Sequence, residues 1–288
     1  MRVVLAVWAQ YLLPQRVLAR LVYQAARCTW PLIKNPLIYW FANYYGVNLI
    51  EAEQSKLSAY PTFNDFFTRA LRSNLRPLSG DEHTAVSPVD GQITEFGNVE
   101  SGKLIQAKGL DYSLNELVGE KEQDDLSITL GCFATIYLGP KDYHRVHMPL
   151  AGTLKRTRYL PGTRFSVNRW TTNRIPNLFV RNERVVCWFD TAVGSMVVVL
   201  VGALNVSSIT TQWLGEVESG KQRLWQEEGG SLKRCYGRGE EIGRFNLGST
   251  VIVLLPPGTI TWNPDLSAQQ PLLMGHSLGR LVGATTDS

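Results

Sequence analysis

The chain has 288 residues, 44% hydrophobic and 19% charged. This is a globular balance, long enough for one large domain or two small ones with a substantial core, and it excludes a disordered chain. The formal net charge of +4 is unevenly placed: residues 1–50 hold Arg2, Arg16, Arg20, Arg27 and Lys34 and no acid, so that segment carries +5 and the remainder −1. A nucleic-acid protein needs a basic core as well, and this one has none.

Residues 3–14 are apolar apart from Gln10. Twelve residues are too few for a membrane-spanning helix, which needs about 20. No clean signal-cleavage site follows. Arg16, Arg20 and Arg27 share one helical face, with Leu18, Leu21, Val22 and Ala25 on the other side, a pattern suited to a helix lying in the membrane interface. An apolar stretch over 36–50 adds Tyr39, Trp40, Phe41, Tyr44 and Tyr45, and Trp and Tyr favour the lipid–water boundary. An ordinary amphipathic helix packed on its own core is the alternative. Residues 1–75 read as helical, punctuated by Pro31 and Pro36, with Phe63, Phe66 and Phe67 in a short helix after Pro61.

From about Ser87 the pattern changes to short strands. Leu126, Ile128 and Leu130 alternate with polar residues, and β-branched apolar runs cover 184–189, 195–201 and 250–255. Turn signals separate them at Pro88 to Gly91, Pro161-Gly162, Gly229-Gly230 and Pro256 to Gly258. The expected fold class is α+β: a helical membrane-associated N-terminal region (1–75) followed by a mainly antiparallel, β-sandwich-like catalytic core (76–288). The four cysteines show no C-x-x-C spacing, which favours free thiols and a reducing compartment.

Three segments carry chemistry. Ser87-Pro88-Val89-Asp90-Gly91 reads first as a turn, in which Asp bonds nearby backbone. Gly139 to Pro149 places His144 and His147 three apart, which fits a surface pair, an imidazole pair facing one site, or half of a metal site lacking a third ligand. Phe245-Asn246-Leu247-Gly248-Ser249-Thr250 leads into an apolar strand and by itself reads as another turn.

Together these segments resemble the phosphatidylserine decarboxylase family, of the bacterial type. The resemblance rests on Leu247-Gly248-Ser249-Thr250, on the stretch from Gly237 to Phe245 before it, and on Asp142-Tyr143-His144-Arg145-x-His147-x-Pro149. Pro88 to Gly91, Lys108-Gly109, Tyr112-Ser113-Leu114, the stretch from Pro161 to Asn168, and Asn182-Glu183-Arg184 also match. The similarity runs from about residue 61 to 275.

The resemblance implies a chain that cuts itself between Gly248 and Ser249. The Ser249 hydroxyl attacks the Gly248 carbonyl and an ester replaces the amide. Loss of the serine α-proton eliminates the ester, and the dehydroalanine left behind hydrolyses to a pyruvoyl group and ammonia. The products are a large subunit (1–248) and a small pyruvoyl subunit (249–288). The implied roles are Ser249 as nucleophile, His147 as base, Asp90 as the acid that orients it, and His144 in proton or carboxylate handling during turnover. The pyruvoyl group is the only cofactor implied, with no metal. It would form a Schiff base with the amine of phosphatidylserine, so that CO2 leaves and phosphatidylethanolamine is released. The implied partners are membrane phosphatidylserine and the two subunits, which the family suggests pair into dimers. The implied location is peripheral, on the cytoplasmic face of the inner membrane. The rivals are a pyruvoyl decarboxylase of soluble substrates, a hydrolase with a metal on His144 and His147, and a non-catalytic membrane-bound scaffold.

Overall fold

A computed structural model describes residues 15–107, 109–120, 130–203, 208–217, 220–226 and 234–282. The apolar run at 3–14, the alternation over 126–129, Lys108 and Gly229-Gly230 lie outside the described residues.

Helix α1 spans Gln15–Ala26, α2 Pro31–Tyr45 and α3 Phe63–Phe67. Pro31 occupies the first turn of α2, where a missing N–H is harmless, and Gly46 closes it in a left-handed conformation (φ 66°). The break expected at Pro36 does not occur, and α2 runs through it. The ring sacrifices only one intrahelical bond near the start of the helix, and packing of the inner face holds the rest. That inner face buries Lys34, Ile38, Phe41 and Ala42. In α3, Thr62 caps the helix by accepting from the Asp65 N–H at 3.1 Å. Phe41 meets Phe63 and Phe67 edge-on, at ring-centroid distances of 5.1 and 5.8 Å.

Two of the five N-terminal cations are spent on the protein itself. Lys34 is buried and donates to the Tyr60 and Ser58 carbonyls at 2.7 and 3.1 Å. Arg27 pairs with Glu216 at 2.9 Å and covers the Tyr23 ring. Among the described residues, no helix is long and apolar enough to cross a membrane.

The remainder is built from antiparallel sheets, so the α+β class holds. Among the described residues the largest sheet has nine strands. Its centre is the fully buried strand Ser249–Leu255, hydrogen-bonded on one side to Gly194–Gly202 and on the other to Cys132–Leu138. The runs read as strands extend slightly beyond their apolar letters, to Arg184–Thr191, Gly194–Gly202 and Ser249–Leu255, because ladder bonding carries the polar end residues along. A four-stranded sheet includes Ser208–Thr211, Glu241–Asn246 and Arg145–His147. Ile209, Ile242 and Phe245 join it to the core of the large sheet. A second apolar cluster unites α1, α2 and α3 and reaches across the chain to a single distant residue, Leu247.

Candidate active site

The strand Ser249–Leu255 begins at the serine itself. Ser249 sits opposite Leu138 on one side and Gly202 on the other. Its side chain is fully buried and its Oγ has no hydrogen-bond partner. Buried hydroxyls are rarely left unbonded, and leaving one so costs about 1–3 kcal/mol. The approach to the serine is equally unusual. Leu247 has φ 86° and Gly248 φ 57°. Glycine tolerates that region, but leucine there carries backbone strain. The Leu247 side chain is held in the aromatic cluster of the N-terminal helices.

The histidine segment is laced to the same junction. The Phe245 N–H donates to the His144 carbonyl at 3.0 Å, and His147 pairs with Glu241 across the ladder. His144 is completely buried, and the Phe67 ring lies on it at 4.0 Å between centroids. Its Nδ1 is 2.8 Å from the Asp142 carbonyl. A carbonyl only accepts, so Nδ1 carries the proton and Nε2 presents a lone pair. That Nε2 is buried and without a partner. Burial, reinforced by the charge of Arg69 and partly offset by the Asp142 carbonyl, pushes the His144 pKa down to about 3.

The same logic fixes the tautomer of His147. Nδ1 donates to the Gly239 carbonyl at 2.8 Å, and Nε2 accepts from the Tyr143 hydroxyl at 3.0 Å. Burial lowers its pKa, while the Gly239 bond and the charges of Glu241 and Asp90 pull it back up. Both imidazoles are therefore neutral near pH 7.

Asp90 lies on the loop beside them. The His147 N–H donates to the Pro88 carbonyl at 2.9 Å. Gly91 is required there, since a Cβ would fall 2.2 Å from the Tyr137 carbonyl oxygen. The Asp90 carboxylate does not bond His147 in this arrangement. Arg76 grips it with Nε at 2.9 Å and Nη2 at 2.6 Å, and the Met274 N–H adds a bond at 2.8 Å. Arg76 also reaches Glu51 at 2.5 Å. His144 and His147 thus lie on the segment bonded to the strand Glu241–Asn246 that leads into Ser249, no hydrogen bond joins Ser249 Oγ to either imidazole, and the charge of Asp90 reaches His147 without a bond.

Sequence reasoning missed Arg76, Tyr143 and the backbone of Leu247. Tyr143 stood immediately before the first marked histidine and could have been flagged; nothing in the letters pairs Arg76 with Asp90. Other family-like letters prove architectural. Asn182 bonds the Phe165 and Gly202 carbonyls at 2.8 and 2.9 Å, and Arg184 donates to the Leu117 carbonyl at 2.7 Å. Among the described residues, no group of three or more His, Cys, Asp or Glu side chains is placed to hold a metal ion.

The chain is similar to known proteins over most of its length. The family model described as phosphatidylserine decarboxylase matches residues 63–280, and a second, described as PSD, matches residues 5–46. A phosphatidylserine decarboxylase proenzyme of Marinobacter nauticus is 46% identical over 280 residues, covering 96% of this chain and 98% of its own. Proteins of the same name from Ectopseudomonas mendocina and Pseudomonas aeruginosa are each 48% identical, over 280 and 277 residues, with 96% and 95% of this chain and 97% and 96% of theirs covered. The matched span contains Asp90, both histidines and the Leu-Gly-Ser-Thr junction, and the chain belongs to the phosphatidylserine decarboxylase family.

Proposed function

We propose that this chain decarboxylates phosphatidylserine to phosphatidylethanolamine, and that it does so with a pyruvoyl group made from its own Ser249. The observation that carries the reading is the junction at 247–249: a buried serine hydroxyl without a partner, preceded by two residues with positive φ, inside a family whose members are named proenzymes. The hydroxyl lacks a competing bond; a Cβ at Gly248 would meet only that of Ala203, at 3.9 Å, so what calls for glycine there is the φ of 57°.

In the cutting reaction, the Ser249 oxygen bonds the Gly248 carbonyl carbon as the amide C–N bond breaks, and the hydroxyl proton passes by way of the base to the departing nitrogen, which becomes the amine; loss of the serine α-proton then expels the Gly248 carboxylate and severs the chain. In this reading His147, neutral and with its lone pair on Nε2, serves as the base. Asp90 favours the imidazolium that forms, by charge rather than contact. The pyruvoyl ketone supplies an electron sink for the amine of the substrate. His144 offers an unprotonated Nε2 in a dry setting against Phe67, suited to accepting a proton or a hydrogen bond from the substrate. An uncharged neighbour also leaves the substrate carboxylate poorly stabilised, which favours its departure as CO2.

A diacyl substrate stays in the bilayer, since each buried CH2 is worth about 0.8 kcal/mol. The protein is accordingly read as peripheral to the cytoplasmic face of the inner membrane, contacting it through α1 and α2. The processed large and small subunits are read as remaining together, and as pairing into a dimer.

Denaturing intact-mass measurement tests the core of this reading. The expected result is two chains broken between Gly248 and Ser249, the smaller one lighter by one ammonia than a peptide beginning with serine. A single uncut chain in active, folded protein overturns it.

A further inference from the structure

Arg69 follows α3 and is almost entirely buried, with 4% of its surface exposed. Its Nη2 donates to the Lys141 carbonyl at 2.8 Å and reaches toward that of Asp142 at 3.5 Å. Its Nε and Nη1 have no partner, and among the described residues it forms no ion pair. Burial lowers its pKa, while the charges of Asp142, Asp90 and Glu51 and the Tyr60 hydroxyl oppose that fall, so a guanidinium remains charged at neutral pH. Buried cations without an anion are rare because desolvation is so unfavourable.

The location gives this orphan a meaning. Arg69 and His144 converge on one carbonyl, that of Asp142, which His144 Nδ1 also engages at 2.8 Å. The unpartnered Oδ1 of Asn64 belongs to the short helix just before Arg69, and His144, packed on Phe67 of that helix, has its Nε2 unpartnered as well. Three buried polar side chains are thus left open on two segments that touch, α3 with Arg69 and the histidine loop, a pattern a bound polar headgroup resolves.

We propose that Arg69 binds the headgroup phosphodiester of the lipid substrate through its unpaired guanidinium N–H groups. The proposal rests on the reading of the chain as a phosphatidylserine decarboxylase. The substrate carries two anions, and electrostatics chooses between them. The carboxylate loses its charge as CO2 departs, so a cation bound to it stabilises the ground state and raises the barrier. The phosphodiester keeps one charge from substrate to product, so a cation there anchors the lipid equally throughout and leaves the chemical step untouched. Arginine suits such an oxyanion through its fixed fork of donors.

The test uses full-length Arg69→Lys and Arg69→Met, each checked for self-cleavage. Decarboxylation is measured against phosphatidylserine in mixed micelles, with soluble glycerophosphoethanolamine as inhibitor, since it keeps the phosphodiester and lacks the carboxylate. The expected result is normal cutting, a KM raised roughly ten-fold or more with kcat within about three-fold, and inhibition weakened by the same factor as KM. A lower kcat with unchanged inhibition assigns Arg69 to the carboxylate or to His144 and overturns the proposal. Unaltered kinetics, or failure of both variants to cut, also overturns it, the latter by making Arg69 a structural tie. Wild-type protein that releases no CO2 from phosphatidylserine sinks the underlying reading instead.

Discussion

The Tyr143 hydroxyl donates to Nε2 of His147 at 3.0 Å, on the atom whose lone pair the proposed cutting reaction would use. The other ring nitrogen is committed to the Gly239 carbonyl. In this arrangement tyrosine, not aspartate, touches the base. If His147 takes the Ser249 proton itself, the hydroxyl must turn aside and is dispensable for chemistry. Tyr143→Phe is then expected to cut at a rate within a few-fold of the native chain, while losing about 1 kcal/mol of stability. Gel densitometry of a synthesis time course, with urea unfolding, checks both. An uncut Tyr143→Phe chain would place the hydroxyl in the proton path.

The two histidines should separate by function. His147→Ala is expected to remain one chain, having lost the base. His144→Ala is expected to be cut and yet to release little CO2, with kcat down by about 10² or more. The chain pattern on a denaturing gel and CO2 release from the same preparations decide the matter. Two uncut variants would end this division of labour.

His144 also gives a pH signature. Its ordinary pKa of 6.5 falls to about 3 in the folded protein. Below pH 6.5 the unfolded chain binds a proton that the folded chain refuses, so stability falls as pH falls from 6.5 toward 3. For each such histidine the limiting slope is about 1.4 kcal/mol per pH unit. His147 shifts in the same direction and adds to it. Thermal unfolding of the uncuttable Ser249→Ala chain should show this decline, and adding His144→Gln should make it shallower between pH 6.5 and 5. Parallel curves would mean that His144 accepts its proton in the folded state.

Much of this site was legible in the letters, and the rest was not for definite reasons. The apolar run after Ser249 announced a buried strand, whereas the spacing of His144 and His147 left open a surface pair, one shared site or half a metal site, and only the fold shows both buried. What pairs with what across the fold is set by tertiary contacts. Arg76 lies in an unremarkable loop until folding brings it against Asp90 and Glu51. Helical spacing put Arg27 with Arg16 and Arg20 on a face suited to the membrane interface, but Arg27 pairs with Glu216, and Lys34 with the carbonyls of Ser58 and Tyr60, which no local pattern shows. The positive φ of Leu247 was hidden because leucine gives no hint of it.

That backbone carries its own expectation. Leucine at φ 86° stores roughly 1–3 kcal/mol beside the proposed scissile bond. Leu247→Gly releases the strain, while Leu247→Ala keeps the Cβ that creates it and loses only packing. Cutting by the glycine variant should therefore be slower than by the alanine variant, by about five-fold or more. Equal rates in a pulse-chase comparison would show that the strain is not used in the reaction.

The outer face of α2 makes the last prediction. With Lys34, Ile38 and Phe41 turned inward, Ile33, Trp40 and Tyr44 fall on the opposite side, and Trp40 stacks on Tyr44 at 5.4 Å. Tyr44 is 70% exposed and Leu32 86%. A helix apolar on both faces is buried in protein or turned toward lipid, and here one face remains open in the isolated chain. Removing the whole N-terminal region would also strip Phe41 from the cluster that holds Leu247, confounding membrane binding with cutting. Point changes avoid this: Leu32→Glu with Trp40→Glu leaves the inner face intact. Such a protein is expected to cut normally yet to float at least ten-fold less with vesicles containing anionic phospholipid. Unchanged flotation would move the membrane contact away from α2, while failure to cut would show that the outer face supports the cluster around Leu247.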